Sequence, residues 1–183
     1  MMITSKEELE KGIKSVLISA EEIQEAVKNA AALIDREYQG KPLLLVSILK
    51  GAFVFLADLM KNITVPCEVA FMAAESYYEG TSSSGEVKIT LDVKQDLSRY
   101  NVLIVEDIID TGRTLKDVTE MLRKREPLSL RIITLLDKPE RRVADLEPDW
   151  TLFTIPDKFV IGYGLDHGEY YRNLPYVGEL APQ

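Results

Sequence analysis

The sequence predicts an α/β fold, a parallel-sheet core flanked by helices, on three observations. Short, largely apolar runs recur at Leu43–Ile48, Val102–Val105 and Leu130–Leu136, as expected of strands covered on both faces. Segments with apolar residues at helical spacing lie between and before them. Alternation of strand and helix through the middle of the chain implies parallel strands joined by crossover helices.

The elements follow in order. Ser19-Ala20-Glu21-Glu22 has the form of a capping box, in which each side chain satisfies the other residue's open backbone N–H. Ile23, Val27, Ala30 and Ile34 then mark one face of a helix running to about Glu37, stopped by Gly40 and Pro42. Leu43–Ile48 is a buried strand, Lys50-Gly51 a turn, and Phe53–Lys61 a second helix. Val65–Met72 reads as a strand, and Glu79–Glu86, rich in Gly and Ser, as a flexible polar loop. Val87–Val93 alternates apolar and polar, a half-exposed strand pairing with the one before it. Strand Val102–Val105 precedes a helix that Thr114 can cap, with Leu115, Val118, Met121 and Leu122 on its apolar side. Strand Leu130–Leu136 follows. Pro139–Pro156 reads as irregular with short extended pieces, Phe159–Ile161 as a last short strand, and the rest from Tyr163 as loop-rich. The expectation is one domain over residues 1–183, with a core at about 40–140 and a smaller cap from the chain ends.

Composition narrows the function. The chain has 183 residues, 46% hydrophobic and 28% charged, the balance of a globular protein with a full core. Its apolar runs fall far short of the roughly 20 residues a spanning helix needs. The charged N-terminus has no apolar segment of the secretory kind. The one cysteine, Cys67, can make no internal disulfide and reads as a buried small residue, so the cytoplasm is the expected compartment. The net charge of −8 argues against nonspecific nucleic-acid binding, which needs clustered Lys and Arg. It does not forbid a phosphorylated substrate, because carboxylates can hold a divalent metal that in turn holds phosphate.

The stretch that carries chemistry is Val102–Leu115, VLIVEDIIDTGRTL. Four apolar residues deliver Glu106 and Asp107 to the C-terminal tip of a buried strand, the edge where parallel sheets bind ligands. After two more apolar residues come Asp110, Thr111, Gly112, Arg113 and Thr114, opening a helix. Gly112 lets the backbone approach an anion, and the helix-start N–H groups with the Thr111 and Thr114 hydroxyls can surround a phosphate. The acids beside it would repel that phosphate unless a cation intervened or they met hydroxyl groups. A sugar, a phosphate and a metal together satisfy every group. An isolated Asp-x-x-Asp-Thr-Gly could be a plain strand–loop–helix turn; the full pattern is far more specific.

That stretch resembles the phosphoribosyl-pyrophosphate motif of type I phosphoribosyltransferases, and most closely their hypoxanthine-guanine branch. Further segments match in family order over about Leu17 to Gly178. Ser47-Ile48-Leu49-Lys50-Gly51 is similar to the family's pyrophosphate loop, and Ser76-Tyr77 to the start of its mobile lid. Leu135-Leu136-Asp137-Lys138 is similar to its base-recognition segment, and Pro156–Asp166 with Tyr171–Pro175 to its C-terminal purine and metal segments. The resemblance implies the type I phosphoribosyltransferase fold, with a hood formed by the chain-terminal segments. It also implies transfer of a phosphoribosyl group from phosphoribosyl pyrophosphate to a 6-oxopurine, with magnesium as cofactor, in a homodimer or homotetramer.

By the same resemblance, Glu106 and Asp107 contact the ribose diol and its magnesium, and Asp110 is the general base that takes the purine N7 proton as N9 attacks the sugar. Ile109 and Asp110 through Thr114, with Arg113, form the phosphoribosyl and 5′-phosphate cradle. Leu49, Lys50, Gly51 and Arg172 face pyrophosphate, with a cis peptide at Leu49–Lys50. Lys138 donates to purine O6, Phe159 stacks on the ring, the Val160 backbone reads its edge, and Asp166 beside them holds a second magnesium. Ser76 and Tyr77 open the lid, whose closure keeps water from an oxocarbenium-like transition state. Read without the family, Gly51 is a turn glycine, Lys138 a solvated lysine, Phe159 core and Arg172 a surface arginine.

Two positions depart from the family pattern. Glu75 stands where many relatives have a small residue, and His167, the only histidine, where tyrosine is expected. Lys138 and Phe159 disfavour orotate or uracil as the acceptor, while xanthine stays open. The alternative of a nucleotide-sensing regulator that binds RNA or DNA is opposed by the net charge, the lack of a basic arm and the full set of acids.

Overall fold

A computed structural model describes residues 2–76 and 87–181. Helix α1 spans Lys6–Lys11 and strand β1 Ile13–Ile18, followed by α2 (Ala20–Tyr38), β2 (Leu43–Leu49) and α3 (Phe53–Asn62). Then come β3 (Cys67–Ser76), β4 (Val87–Leu91), β5 (Asn101–Ile109), α4 (Arg113–Arg123) and β6 (Ser129–Asp137). Strands β7 (Trp150–Thr154), β8 (Val160–Ile161) and β9 (Val177–Leu180) complete the order.

Six strands form the main sheet in the order β4-β3-β2-β5-β6-β7. All neighbouring pairs are parallel except β3–β4, which is antiparallel; β4 pairs with the strand before it, as expected. The near-continuous apolar runs follow from burial on both faces. Leu43, Leu45, Leu103 and Val105 pack with Ile23, Val27, Ile34 and Phe55 of α2 and α3 on one side. Leu44, Val46, Val102 and Ile104 pack with Leu115, Val118 and Leu122 of α4 on the other. From β2 the chain winds outward through α3 to β3, whereas from β5 it winds the opposite way to β6 and β7. The strand order thus reverses between β2 and β5, and the crevice beyond their C-terminal ends is where such sheets hold ligands.

Ser19 caps α2 as expected: its hydroxyl accepts from the Glu22 N–H and the Glu22 carboxylate accepts from the Ser19 N–H. The helix at Arg113 differs from expectation. Its cap is Gly112 at φ +75°, with no side-chain capping bond, and Thr114 lies inside the first turn. A left-handed cap costs glycine least, since it has no Cβ, so backbone conformation decides the boundary.

A second, three-stranded antiparallel sheet, β1-β9-β8, joins the two chain ends. Glu179 on β9 stitches it, accepting from Lys14 at 2.7 Å and Lys158 at 2.8 Å. These two ammonium groups draw the Glu179 carboxyl down to about 2. A carboxyl held below its unfolded value stabilises above that value, and the contribution fades as pH falls toward the folded one. The stabilisation is therefore whole above about pH 4.5 and lost toward pH 2. Glu179→Gln should flatten the fall of melting temperature across that window and leave the pH 7–9 plateau nearly level; an unchanged acid limb would contradict the stitch.

Candidate active site

Strand β5 carries Glu106 and Asp107 to the crevice mouth, beyond the last residue that pairs with β2, Val105. Both acids are half-buried there. Burial pushes the Glu106 carboxyl well above its usual range, and the adjacent Asp107 charge pushes it further. Burial also pushes Asp107 up to about 6, against the opposing pull of the Ile108 N–H and the Arg172 charge. Two carboxyls held up by desolvation and by neighbouring negative charge, Asp107 for Glu106 and Asp166 for Asp107, form a site that favours a cation or a set of hydroxyl donors.

Beyond them the chain turns through Asp110, Thr111 and Gly112 into α4. Glu106 and the run 108–115 line a cavity of about 170 Å³. Every residue of the expected phosphate cradle is therefore in one wall. The α4 N-terminus and consecutive loop amides supply the donors that an anion of phosphate size needs.

The β2–α3 turn closes the crevice from the other side. The Leu49–Lys50 peptide is cis, as expected. A Cβ built on Gly51 would overlap Asp107 Oδ2, so a larger residue there must displace that carboxylate. A Cβ on Gly164 would collide with the Gly51 carbonyl oxygen, which brings the C-terminal segment to the same point. From that segment Arg172 donates to the Gly164 carbonyl at 2.8 Å and pairs with Asp166 at 3.0 Å. Glu169 bridges Lys50, at 3.0 Å, and Arg172, at 3.3 Å. Lys50, Gly51, Asp107, Asp166 and Arg172 thus form one neighbourhood, in which Glu169 is an unforeseen member. Among the described residues no three His, Cys, Asp or Glu side chains come together as a self-sufficient metal cage.

On the far side of Asp110 lies the expected base pocket. Lys138 directly follows β6 with only 7% of its surface exposed, which excludes a solvated lysine. Its ammonium is 3.8 Å from Asp157. Arg141 links this group to the loop, donating to Asp110 Oδ1 at 3.0 Å and lying 3.7 Å from Asp157. Phe159 leaves the core: 56% of its surface is exposed, and its ring meets His167 edge-on at 5.5 Å between centroids. Val160 is buried beside it in β8. An exposed aromatic ring and a buried cation are the two groups that a flat heterocycle with a carbonyl edge needs.

Arg141 and Arg142 carry no weight in the sequence reading, although adjacent arginines in an acidic chain are a signal. Ser76 ends β3; Tyr77 and the loop 79–86, the expected lid, lie outside the described residues.

A family model for the phosphoribosyl transferase domain matches residues 19–167. The chain is 54% identical over 175 residues to the hypoxanthine-guanine phosphoribosyltransferase of Streptococcus pneumoniae, covering 96% of this chain and 97% of that one. Identity to the Staphylococcus aureus protein of the same name is 50% over 171 residues, covering 93% and 96%. The fold superposes on the crystal structure of a hypoxanthine phosphoribosyltransferase from Staphylococcus aureus with a TM-score of 0.92 at 49% identity, covering 95% of each chain. Against the hypoxanthine phosphoribosyltransferase from Trypanosoma cruzi, a point mutant in a ternary substrates complex, the TM-score is 0.89 at 39% identity, covering 94% and 97%. With the crevice, the acids and the loop already in place, these likenesses settle the family: the chain belongs to the phosphoribosyltransferases, among those of the hypoxanthine-guanine kind.

Proposed function

We propose that the protein transfers the 5-phosphoribosyl group of phosphoribosyl pyrophosphate to N9 of hypoxanthine or guanine, giving IMP or GMP and pyrophosphate. One observation carries the reading. Three groups of complementary chemistry gather around the tip of β5: the cradle of 110–114, the cationic pair Lys50 and Arg172, and the base-side residues Lys138 and Phe159. A sugar phosphate, a diphosphate and a 6-oxopurine fill them in the order in which the atoms must be joined.

Asp110 stands between cradle and base pocket and takes the N7 proton as N9 attacks the sugar carbon. Arg141 occupies its Oδ1, which leaves Oδ2 for that proton. A carboxylate at this place also stabilises positive charge as the glycosidic bond to pyrophosphate breaks. Lys138, buried at the strand end, donates to O6, and Phe159 presents its face to the ring. Lys50, Gly51 and Arg172 receive the leaving diphosphate.

Magnesium suits the donor set, because Glu106 and Asp107 are carboxyls in want of a cation and Asp166 lies near Asp107. Those three residues would hold it with substrate oxygens and water, as its preference for few protein ligands allows. A magnesium ion held there would supply positive charge toward the leaving diphosphate. A cytoplasmic homodimer or homotetramer belongs to the same proposal. Among the described residues no helix is long and apolar enough to cross a membrane.

Incubation of the protein with magnesium, phosphoribosyl pyrophosphate and each purine in turn tests the reading. Nucleotide should form with hypoxanthine or guanine; no product with either sinks it. Lys138→Ala should lower kcat/KM for 6-oxopurines by roughly tenfold or more, the scale of a lost charged hydrogen bond, and change adenine use little. An unchanged guanine-to-adenine ratio would remove Lys138 from O6.

A further inference from the structure

We propose that Arg142 is a positioning residue, holding the carbonyl side of the loop Asp110–Gly112 so that its N–H groups face the 5′-phosphate. The inference rests on the functional reading above. Only 8% of the Arg142 side chain is exposed. Its guanidinium divides its donors among three partners: Nη2 to the Asp137 carboxylate at the end of β6, Nη1 to the Leu146 carbonyl at 2.6 Å, and Nε to the Asp110 carbonyl at 3.4 Å. Its methylene stem lies against Gly112, where an added Cβ would be 3.0 Å from Arg142 Cδ.

Backbone bonds flank that contact. The Lys138 N–H donates to the Ile109 carbonyl at 3.0 Å, and the Val143 and Ala144 N–H groups donate to the Thr111 carbonyl at 3.0 Å each. Three consecutive carbonyls, of residues 109, 110 and 111, are thus held from one segment. In a planar trans peptide the carbonyl and the following N–H point in opposite directions. The N–H groups of Asp110, Thr111 and Gly112 therefore turn away from residues 138–144, and all three residues line the 170 Å³ cavity. Such a row of amides is an anion nest.

The middle carbonyl, that of Asp110, depends on the Arg142 side chain. Asp137, also 8% exposed, fixes the far end of the guanidinium. A buried ion pair of this kind is weak ground for stability, since apolar residues of equal volume often serve as well. Its value here is the direction it gives to three amides and to the Asp110 backbone.

Arg142→Lys keeps the charge opposite Asp137, but one ammonium cannot span three partners. The readouts are KM for phosphoribosyl pyrophosphate and for the base, and dissociation constants for IMP and for inosine, which lacks the phosphate. Both phosphate-bearing ligands should weaken roughly tenfold or more, the scale of charge-assisted hydrogen bonds, while inosine and the base change less than about twofold. Equal weakening of IMP and inosine, or no change in either, overturns the proposal. Should Arg142→Lys fail to fold, Asp137→Asn, which loosens the anchor, must show the same selective loss for IMP; an unselective effect counts against it equally. Wild-type protein that binds no IMP and forms no nucleotide would instead overturn the functional reading itself.

Discussion

Asp110→Asn should lower kcat by roughly 10²–10⁴-fold, the usual contribution of a general base, with the fold intact. The amide keeps the shape and still accepts from Arg141, so the 3.0 Å contact that orients the side chain survives. Only the capacity to take a proton is gone. The loss should therefore appear in kcat, with KM for phosphoribosyl pyrophosphate nearly constant, because the cradle amides are untouched. Single-turnover kinetics with saturating donor measure it; an unimpaired variant would move the base elsewhere.

Gly51→Ala should be nearly as damaging, although it adds a single methyl group. Its Cβ would overlap Asp107 Oδ2, and the group best able to move is the carboxylate. The expected outcome is a folded protein with Asp107 displaced and kcat/KM lower by at least about 10²-fold, as misplacement by an ångström costs at an active site. Since the two residues act through one contact, the effects should not add. On an Asp107→Ala background, Gly51→Ala should change activity by less than about threefold. Additive losses would show that Gly51 matters for another reason, such as its carbonyl against Gly164.

The parts of the molecule legible in the sequence are those where one physical demand dominates. Leu43–Ile48 and Val102–Val105 read as buried strands because both of their faces meet helices. Ser19 and Glu22 announce their helix because a capping box is local. The run Glu106–Thr114 reveals the site because its acids, glycine and hydroxyls make sense only together. Strand β1 is invisible in the sequence because half of its residues are exposed and its partner, β9, lies at the other end of the chain. Strand β7 reads as irregular because an edge strand with mixed burial, WTLFT, carries neither alternation nor an apolar run. The cap expected at Thr114 falls to Gly112, a choice set by one backbone angle. The roles of Arg141, Arg142 and Glu169 are illegible for a common reason: their partners, Asp110, Asp137 and Lys50, become neighbours only when the strand tips assemble.

The central claim is that the loop of residues 110–114 cradles the phosphate of a nucleotide whose base lies toward Lys138. A crystal structure with IMP bound tests it most directly. The phosphate should sit within hydrogen-bonding distance of the Thr111 and Gly112 amides, with O6 facing the Lys138 ammonium. A phosphate found at Lys50 and Arg172, or a base turned away from Phe159, would contradict it.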